Sequence, residues 1–119
     1  MYSIGADIVK VSRLEAWVKD EAMLERVFTA DEKKRCLRKK RPEECLAALF
    51  AAKEAFMKAA GTGWDSGLDW LDIEVCAEDR RTVLRLRNRA GELFRNKKVF
   101  VSFSSSRGFA AAFVVVEEA

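Results

Sequence analysis

Between Leu46 and Ala60 the chain reads LAALFAAKEAFMKAA, a run that is apolar or small except for Lys53, Glu54 and Lys58. Advancing about 100° per residue puts Leu46, Leu49, Phe50, Met57 and Ala60 on one helical face. Ala48, Ala52, Ala55 and Ala59 fall on the opposite face, a smooth stripe that lets another element approach closely. A helix that is apolar or small nearly all round has to be enclosed by the rest of its fold. Pro42 suits the first turn of such a helix, and Glu43 and Glu44 suit the positive end of its dipole. Gly61 supplies the stop, so the pattern predicts one long central helix over Pro42 to Ala60.

The three charges are what that helix has to accommodate. Glu54 and Lys58 lie one turn apart and side by side, while Lys53 projects from the larger apolar stripe. Two readings stand. In one, Glu54 and Lys58 form an exposed pair worth about 0.3–0.5 kcal/mol and Lys53 snorkels to the edge. In the other, the charges face a cleft and bind a ligand, because burying them unpaired is too costly. Gly61-Thr62-Gly63 follows directly, and a glycine loop with backbone amides and one hydroxyl suits phosphate oxygens. Asp7, within Ile4-Gly-Ala-Asp-Ile-Val9, has two placements as well. It either sits on the solvent face of a half-buried strand, or meets Glu54 at a sheet–helix junction to hold one Mg²⁺.

The remaining elements follow from period and punctuation. Tyr2 to Val11 reads as a strand, and Ser12 as the cap of a short helix reaching about Lys19. Thr29 with Glu32 forms a capping box that opens a helix toward Lys39. Trp70–Ala77 and Thr82–Leu86 read as strands around a charged turn, followed by a short helix over Arg89–Phe94. Lys98–Ser104 and Phe109–Val116 close the chain as a last strand pair. Helices grouped early and strands late argue an α+β fold, a mostly antiparallel sheet packed against the long central helix.

Composition narrows the chemistry. At 119 residues there is room for one domain and one core. There is no histidine, so the usual zinc sites and the usual neutral-pH general base are both missing. A metal held here by carboxylates, water and ligand oxygens would be magnesium or manganese. Cys36, Cys45 and Cys76 are odd in number and widely spaced, and read as reduced thiols. With no signal peptide and no long apolar run visible, the expectation is a soluble, cytoplasmic protein with no membrane contact. Net charge is only +3, but Lys33 to Arg41 holds seven basic residues in nine positions. That run is either a solvated helix face or a docking patch for an acidic partner, protein or nucleic acid. The aromatic residues lie mostly outside it, so no stacking platform for nucleic acid is evident, and no nucleic-acid partner is expected.

Gly5-Ala-Asp7-Ile8-Val9, Arg13, Arg26-Val-Phe-Thr-Ala-Asp-Glu32, FAAKEAFMKAAGTG over Phe50–Gly63 and Asp72-Ile-Glu-Val75 occur in an ordered series. In that order and spacing the chain resembles bacterial holo-acyl-carrier-protein synthases, the small group of the 4′-phosphopantetheinyl transferase superfamily. The resemblance implies that fold, and transfer of the 4′-phosphopantetheine arm of coenzyme A to a serine of apo acyl carrier protein. It implies Asp7 and Glu54 as Mg²⁺ ligands. It also implies Lys53, Lys58, Gly61 and Thr62 as residues lining the coenzyme A phosphates, and Arg13 as a carrier-docking residue. A homotrimer with sites between subunits is implied too, the alanine stripe serving subunit or core packing. With no histidine, the base is Glu54 or a water on the metal, and Asp7, Glu54 and Lys58 form the expected catalytic set. Acyl carrier proteins are acidic, which gives the basic run a partner.

Two positions depart from that pattern. Ser105 stands where histidine is common, and Leu49 where an arginine commonly precedes the FAAKEA block. Both would ordinarily help to hold coenzyme A, so weaker or rearranged binding is expected, with Ser104, Ser106 and Arg107 available to compensate, and Ser104 and Ser105 counted among the expected cofactor-binding residues. A degenerate relative that binds coenzyme A or carrier without transfer is the alternative these departures motivate.

Overall fold

The computed structural model describes residues 1–61 and 67–118. It opens with β1 (Tyr2–Lys10), then α1 (Val11–Glu15), a 3₁₀ turn (Trp17–Lys19), α2 (Glu21–Val27) and α3 (Ala30–Leu37). The central helix α4 (Pro42–Ala60) follows as predicted, with Gly61 closing it at φ 68°. A second 3₁₀ turn (Trp70–Asp72) leads to β2 (Ile73–Glu78), β3 (Arg81–Leu86), α5 (Asn88–Leu93), β4 (Lys97–Ser105) and β5 (Phe109–Glu118).

Local sequence explains most boundaries. Both halves of the Thr29 capping box form: Glu32 N donates to Thr29 Oγ1 at 3.2 Å, and Thr29 N to Glu32 Oε1 at 2.8 Å. Two expectations need correction. Ser12 caps nothing; α1 starts at Val11, with Lys10 at the cap position and no side-chain bond there. The whole of α2 escaped the sequence reading, although its signal is present, since Asp20 accepts from Met23 N at 3.1 Å as an N-cap.

The strands form two antiparallel sheets, one ordered β1-β5-β4 and a separate β2-β3 hairpin. Asp79 and Arg80 turn that hairpin, both at positive φ as a tight two-residue turn requires. Alternation along the larger sheet sorts its faces. Gly5, Val9, Ala110, Ala112, Val114 and Val116 are buried on the face that meets α4. A Cβ on Gly5 would lie 2.0 Å from Ala55 O and 2.5 Å from Ala59 N. Glycine there lets β1 rest on the alanine stripe of α4, which therefore serves core packing. Because side chains alternate, Asp7 two residues on faces the same helix. It lies at the sheet–helix junction, half-buried, rather than on the solvent face.

The opposite face is apolar and open. Tyr2, Ile4, Ile8, Phe100, Phe109 and Phe113 are all more than half exposed there. The register lines up these rows, with Ala6 opposite Phe113 and Phe100 opposite Val115.

The cysteines also depart from expectation. Cys36 and Cys45 are joined by a disulfide, while Cys76 is free. The short return over residues 38–41 lays the end of α3 beside the start of α4, with the two Cα atoms 5.3 Å apart.

Candidate active site

Three of the residues expected in the site meet where β1 crosses the last turns of α4. Lys58 Nζ lies 2.7 Å from Asp7 Oδ1 and donates also to Ala6 O at 3.3 Å. The Lys58 side chain is 54% exposed and Asp7 12%, so the pair sits at a solvent-accessible edge. Glu54 does not pair with Lys58 in the simple i, i+4 manner. Burial, and then the Asp7 charge, push its carboxyl above the ordinary carboxylate range, with Arg13 and Lys58 partly opposing. Bonding to Asp7 in turn raises the Lys58 ammonium. A buried carboxylate whose charge is disfavoured by a neighbouring carboxylate forms a site that a cation would relieve.

The donor chemistry fits magnesium. Among the described residues no cluster of three or more His, Cys, Asp or Glu residues could hold a metal. Asp7 and Glu54 offer hard carboxylate oxygens, a donor pair of the kind that Mg²⁺ completes with water and phosphate oxygens.

Lys53 is elsewhere. Its side chain is 0% exposed, and its ammonium lies 2.8 Å from Glu32 Oε1. It donates also to Val27 O at 2.8 Å and Trp70 O at 3.0 Å. Three donors thus meet three oxygens, which corrects the expectation that Lys53 lines the coenzyme A phosphates. Neither sequence reading foresaw this, since Lys53 does not snorkel and does not face a cleft. Desolvation lowers its pKa, and the Glu32 carboxylate opposes the loss of its proton. Glu32 was missed as the partner because its role in the capping box already accounted for it.

The other expected residues scatter. Gly61 is exposed, and its amide donates to Lys58 O at 3.2 Å in ending the helix. Thr62 lies outside the described residues. Ser104 pairs with Ala111 across the sheet and points to the open apolar face, whereas Ser105 lines a cavity on the other side. That cavity, of about 450 Å³, also takes Leu49, Arg35, Lys39, Lys40 and Arg41 into its wall. Both departures from the family pattern thus fall in one basic cavity, together with part of the Lys33–Arg41 run. Ser106 is occupied in the β4–β5 turn, bonding Phe109 O.

Arg13 lines a second opening of about 720 Å³ with Trp17, Arg26, Val27, Phe50, Asp69 and Trp70. Its guanidinium lies 5.9 Å from the Trp17 ring and 5.2 Å from Phe50. Phe50 in turn contacts Trp17 at 5.1 Å and Trp70 at 5.3 Å between ring centroids. An apolar aromatic floor carries an arginine whose charge reaches Glu54.

This fold belongs to one class of enzyme. Residues 3–114 match the 4′-phosphopantetheinyl transferase superfamily. The chain belongs to that superfamily, within its holo-[acyl-carrier-protein] synthase group. It is 40% identical over 123 residues to the holo-[acyl-carrier-protein] synthase of Geobacter sp. (strain M21), covering 98% of each chain. The Moorella thermoacetica protein of the same name is 43% identical over 122 residues, covering 98% of this chain and 94% of its own. Among solved structures, the Bacillus anthracis holo-(acyl-carrier-protein) synthase in complex with CoA (3′,5′-ADP) is 36% identical with a TM-score of 0.82, covering 98% of this chain and 96% of its own. The Helicobacter pylori synthase in complex with coenzyme A is 33% identical with a TM-score of 0.84, covering 96% and 99%.

Proposed function

We propose that this chain transfers the 4′-phosphopantetheine arm of coenzyme A to a serine of an apo acyl carrier protein, releasing adenosine 3′,5′-bisphosphate. The observation that carries the reading is the meeting of Asp7, Glu54 and Lys58 at one open edge, beside the Arg13 cleft. Asp7 and Glu54 are the residues to hold Mg²⁺. When bound, that ion neutralises charge on the pyrophosphate and so favours attack at phosphorus. Lys58 adds a point charge at the same edge, where it stabilises the transferring phosphoryl group. The serine hydroxyl forms the new oxygen–phosphorus bond as the bond to the bisphosphate breaks. Its proton passes to Glu54, the base, whose buried setting makes it hold a proton more firmly than an exposed carboxylate does.

Arg13, with Arg26 on the same wall, offers positive charge to the acidic carrier. The basic cavity with Leu49 and Ser105 suits the nucleotide end of coenzyme A, whose phosphates meet Lys39, Lys40 and Arg41. The open apolar sheet face is too large and too aromatic for a lone monomer in water. It is covered by further copies of this chain, in a homotrimer. No helix among the described residues is long and apolar enough to cross a membrane.

Incubating the protein with apo carrier, coenzyme A and Mg²⁺ tests the reading by mass spectrometry. The expected result is a gain of one phosphopantetheine arm on the carrier, absent when Mg²⁺ is chelated. No gain at any coenzyme A concentration sinks it and favours binding without transfer.

A further inference from the structure

The Arg13 cleft has two walls from distant parts of the chain. One is built by α1, the 3₁₀ turn that follows it and α2, carrying Arg13, Trp17 and Val27 respectively; the other is the segment 68–71 around Trp70. Phe50 of α4 forms the floor between them, in ring contact with a tryptophan on each side. One turn further along α4, Lys53 reaches up beneath this floor. Its ammonium donates to the carbonyl of Val27 on the first wall and to the carbonyl of Trp70 on the second.

Those two acceptors are not incidental. Val27 ends α2, where carbonyls have lost their helical partners and the dipole is negative. A buried ammonium is suited to that end, and the Glu32 carboxylate lies 2.8 Å from it as a countercharge. Backbone carbonyls move only when their whole segment moves. A side chain bonded to both therefore fixes the spacing of the walls in a way that a contact between side chains does not.

We infer that Lys53 is a positioning residue for the carrier, setting the width of the cleft in which the segment around the acceptor serine docks. The inference rests on the transferase reading above, and on the carrier entering at Arg13. Lys53 touches neither substrate; it acts through Val27 and Trp70. The carrier's apolar contacts have to fit between Trp17 and Trp70, and a cleft that breathes must be ordered by binding, which weakens affinity. On that same reading the coenzyme A phosphates meet Lys39, Lys40 and Arg41 in the other cavity, so their binding is insensitive to this cleft.

Two variants separate positioning from plain stability. Lys53→Met removes both carbonyl bonds and the ion pair. Glu32→Gln removes the ion pair but leaves a lysine that still reaches both carbonyls. Steady-state transfer gives KM for carrier and for coenzyme A, and calorimetry gives carrier affinity without any reaction. Lys53→Met is expected to raise the carrier Kd and KM about tenfold, with the coenzyme A KM unchanged. Glu32→Gln, though destabilised, keeps wild-type carrier affinity. If Lys53→Met does not fold, Lys53→Gln, one bond shorter and without that reach, is read in its place. Unchanged carrier affinity in the lysine variant, or equal weakening in Glu32→Gln, overturns the inference. A wild-type protein that binds carrier but makes no holo product sinks the transferase reading alone, and the affinity ratio still decides the role of Lys53. Absence of wild-type carrier binding overturns both.

Discussion

Lys53 and Lys58 sit five residues apart on α4, each in an ion pair of nearly the same length, 2.8 Å to Glu32 and 2.7 Å to Asp7. Their surroundings are opposite. Lys53 is sealed in the core against the Phe28 ring with its donors satisfied, whereas Lys58 stands at an edge open to solvent. The comparison teaches that geometry alone does not mark a catalytic pair. The sealed pair is committed to the fold, since its charges are held by fixed oxygens and have nothing to exchange. The open pair can trade its partners for a metal and a phosphate at modest energetic loss, because water already shares them.

The comparison is broken most forcefully from the buried side. Lys53→Met leaves Glu32 without its ion-pair partner in the core and is expected to cost about 3–5 kcal/mol. Urea unfolding measures it, and a loss under about 1 kcal/mol would mean the pair is no more structural than a surface one. Next in size is Gly5→Ala, which forces β1 off Ala55 and so moves Asp7 away from α4. Overpacking of this kind costs about 1–3 kcal/mol, and a crystal structure of the variant should show β1 displaced. Phe113→Asp places a charge in the middle of the open sheet face. It should leave the fold intact and shift the protein to monomer in light scattering, sharpening the distinction between surfaces kept for the fold and surfaces kept for assembly.

The smallest effect concerns Glu54. Its carboxyl is raised above the ordinary value of 4.5, so the folded state holds this proton more tightly than the unfolded chain does. Stability therefore falls as pH rises through the window from that ordinary value up to the raised one. Glu54→Gln removes the titration. The variant should match wild type in acid and melt slightly higher at neutral pH, while transfer is lost. A melting temperature below wild type at neutral pH would show that Glu54 also supports the fold.

How much of this was legible beforehand follows from where each signal sits. Pro42, the alanine stripe and Gly61 defined α4 because helix period and caps are local properties. The Thr29–Glu32 box was legible for the same reason. Asp7 was legible as a residue of interest with two possible faces, and strand period alone did not choose the helix-facing one. Its face depends on β1 resting against α4, and Gly5 was the clue, since only a close approach requires glycine on that side. Lys53 was misplaced because its partners, Glu32, Val27 and Trp70, come from three other segments, and nothing in the spacing of α4 names them. One Glu32 carboxylate accepts from Thr29 N, Lys53 Nζ and Val75 N, and only the first of these is a local bond. The basic run was read as one unit, either a solvated helix face or a docking patch, yet tertiary packing divides it. Lys33 lies 3.7 Å from Glu21, Arg35 donates to Val75 O, and Lys39 to Arg41 line a cavity.

The central claim, that the open pair carries the chemistry and the sealed pair does not, is tested most directly on Lys58→Met. Its unfolding free energy should stay within about 1 kcal/mol of wild type, as for an exposed ion pair. The rate of holo-carrier formation should fall about 10²–10³-fold, the size of losing one electrostatic donor to a transition state. A folded Lys58→Met protein that forms holo carrier at the wild-type rate would contradict the account.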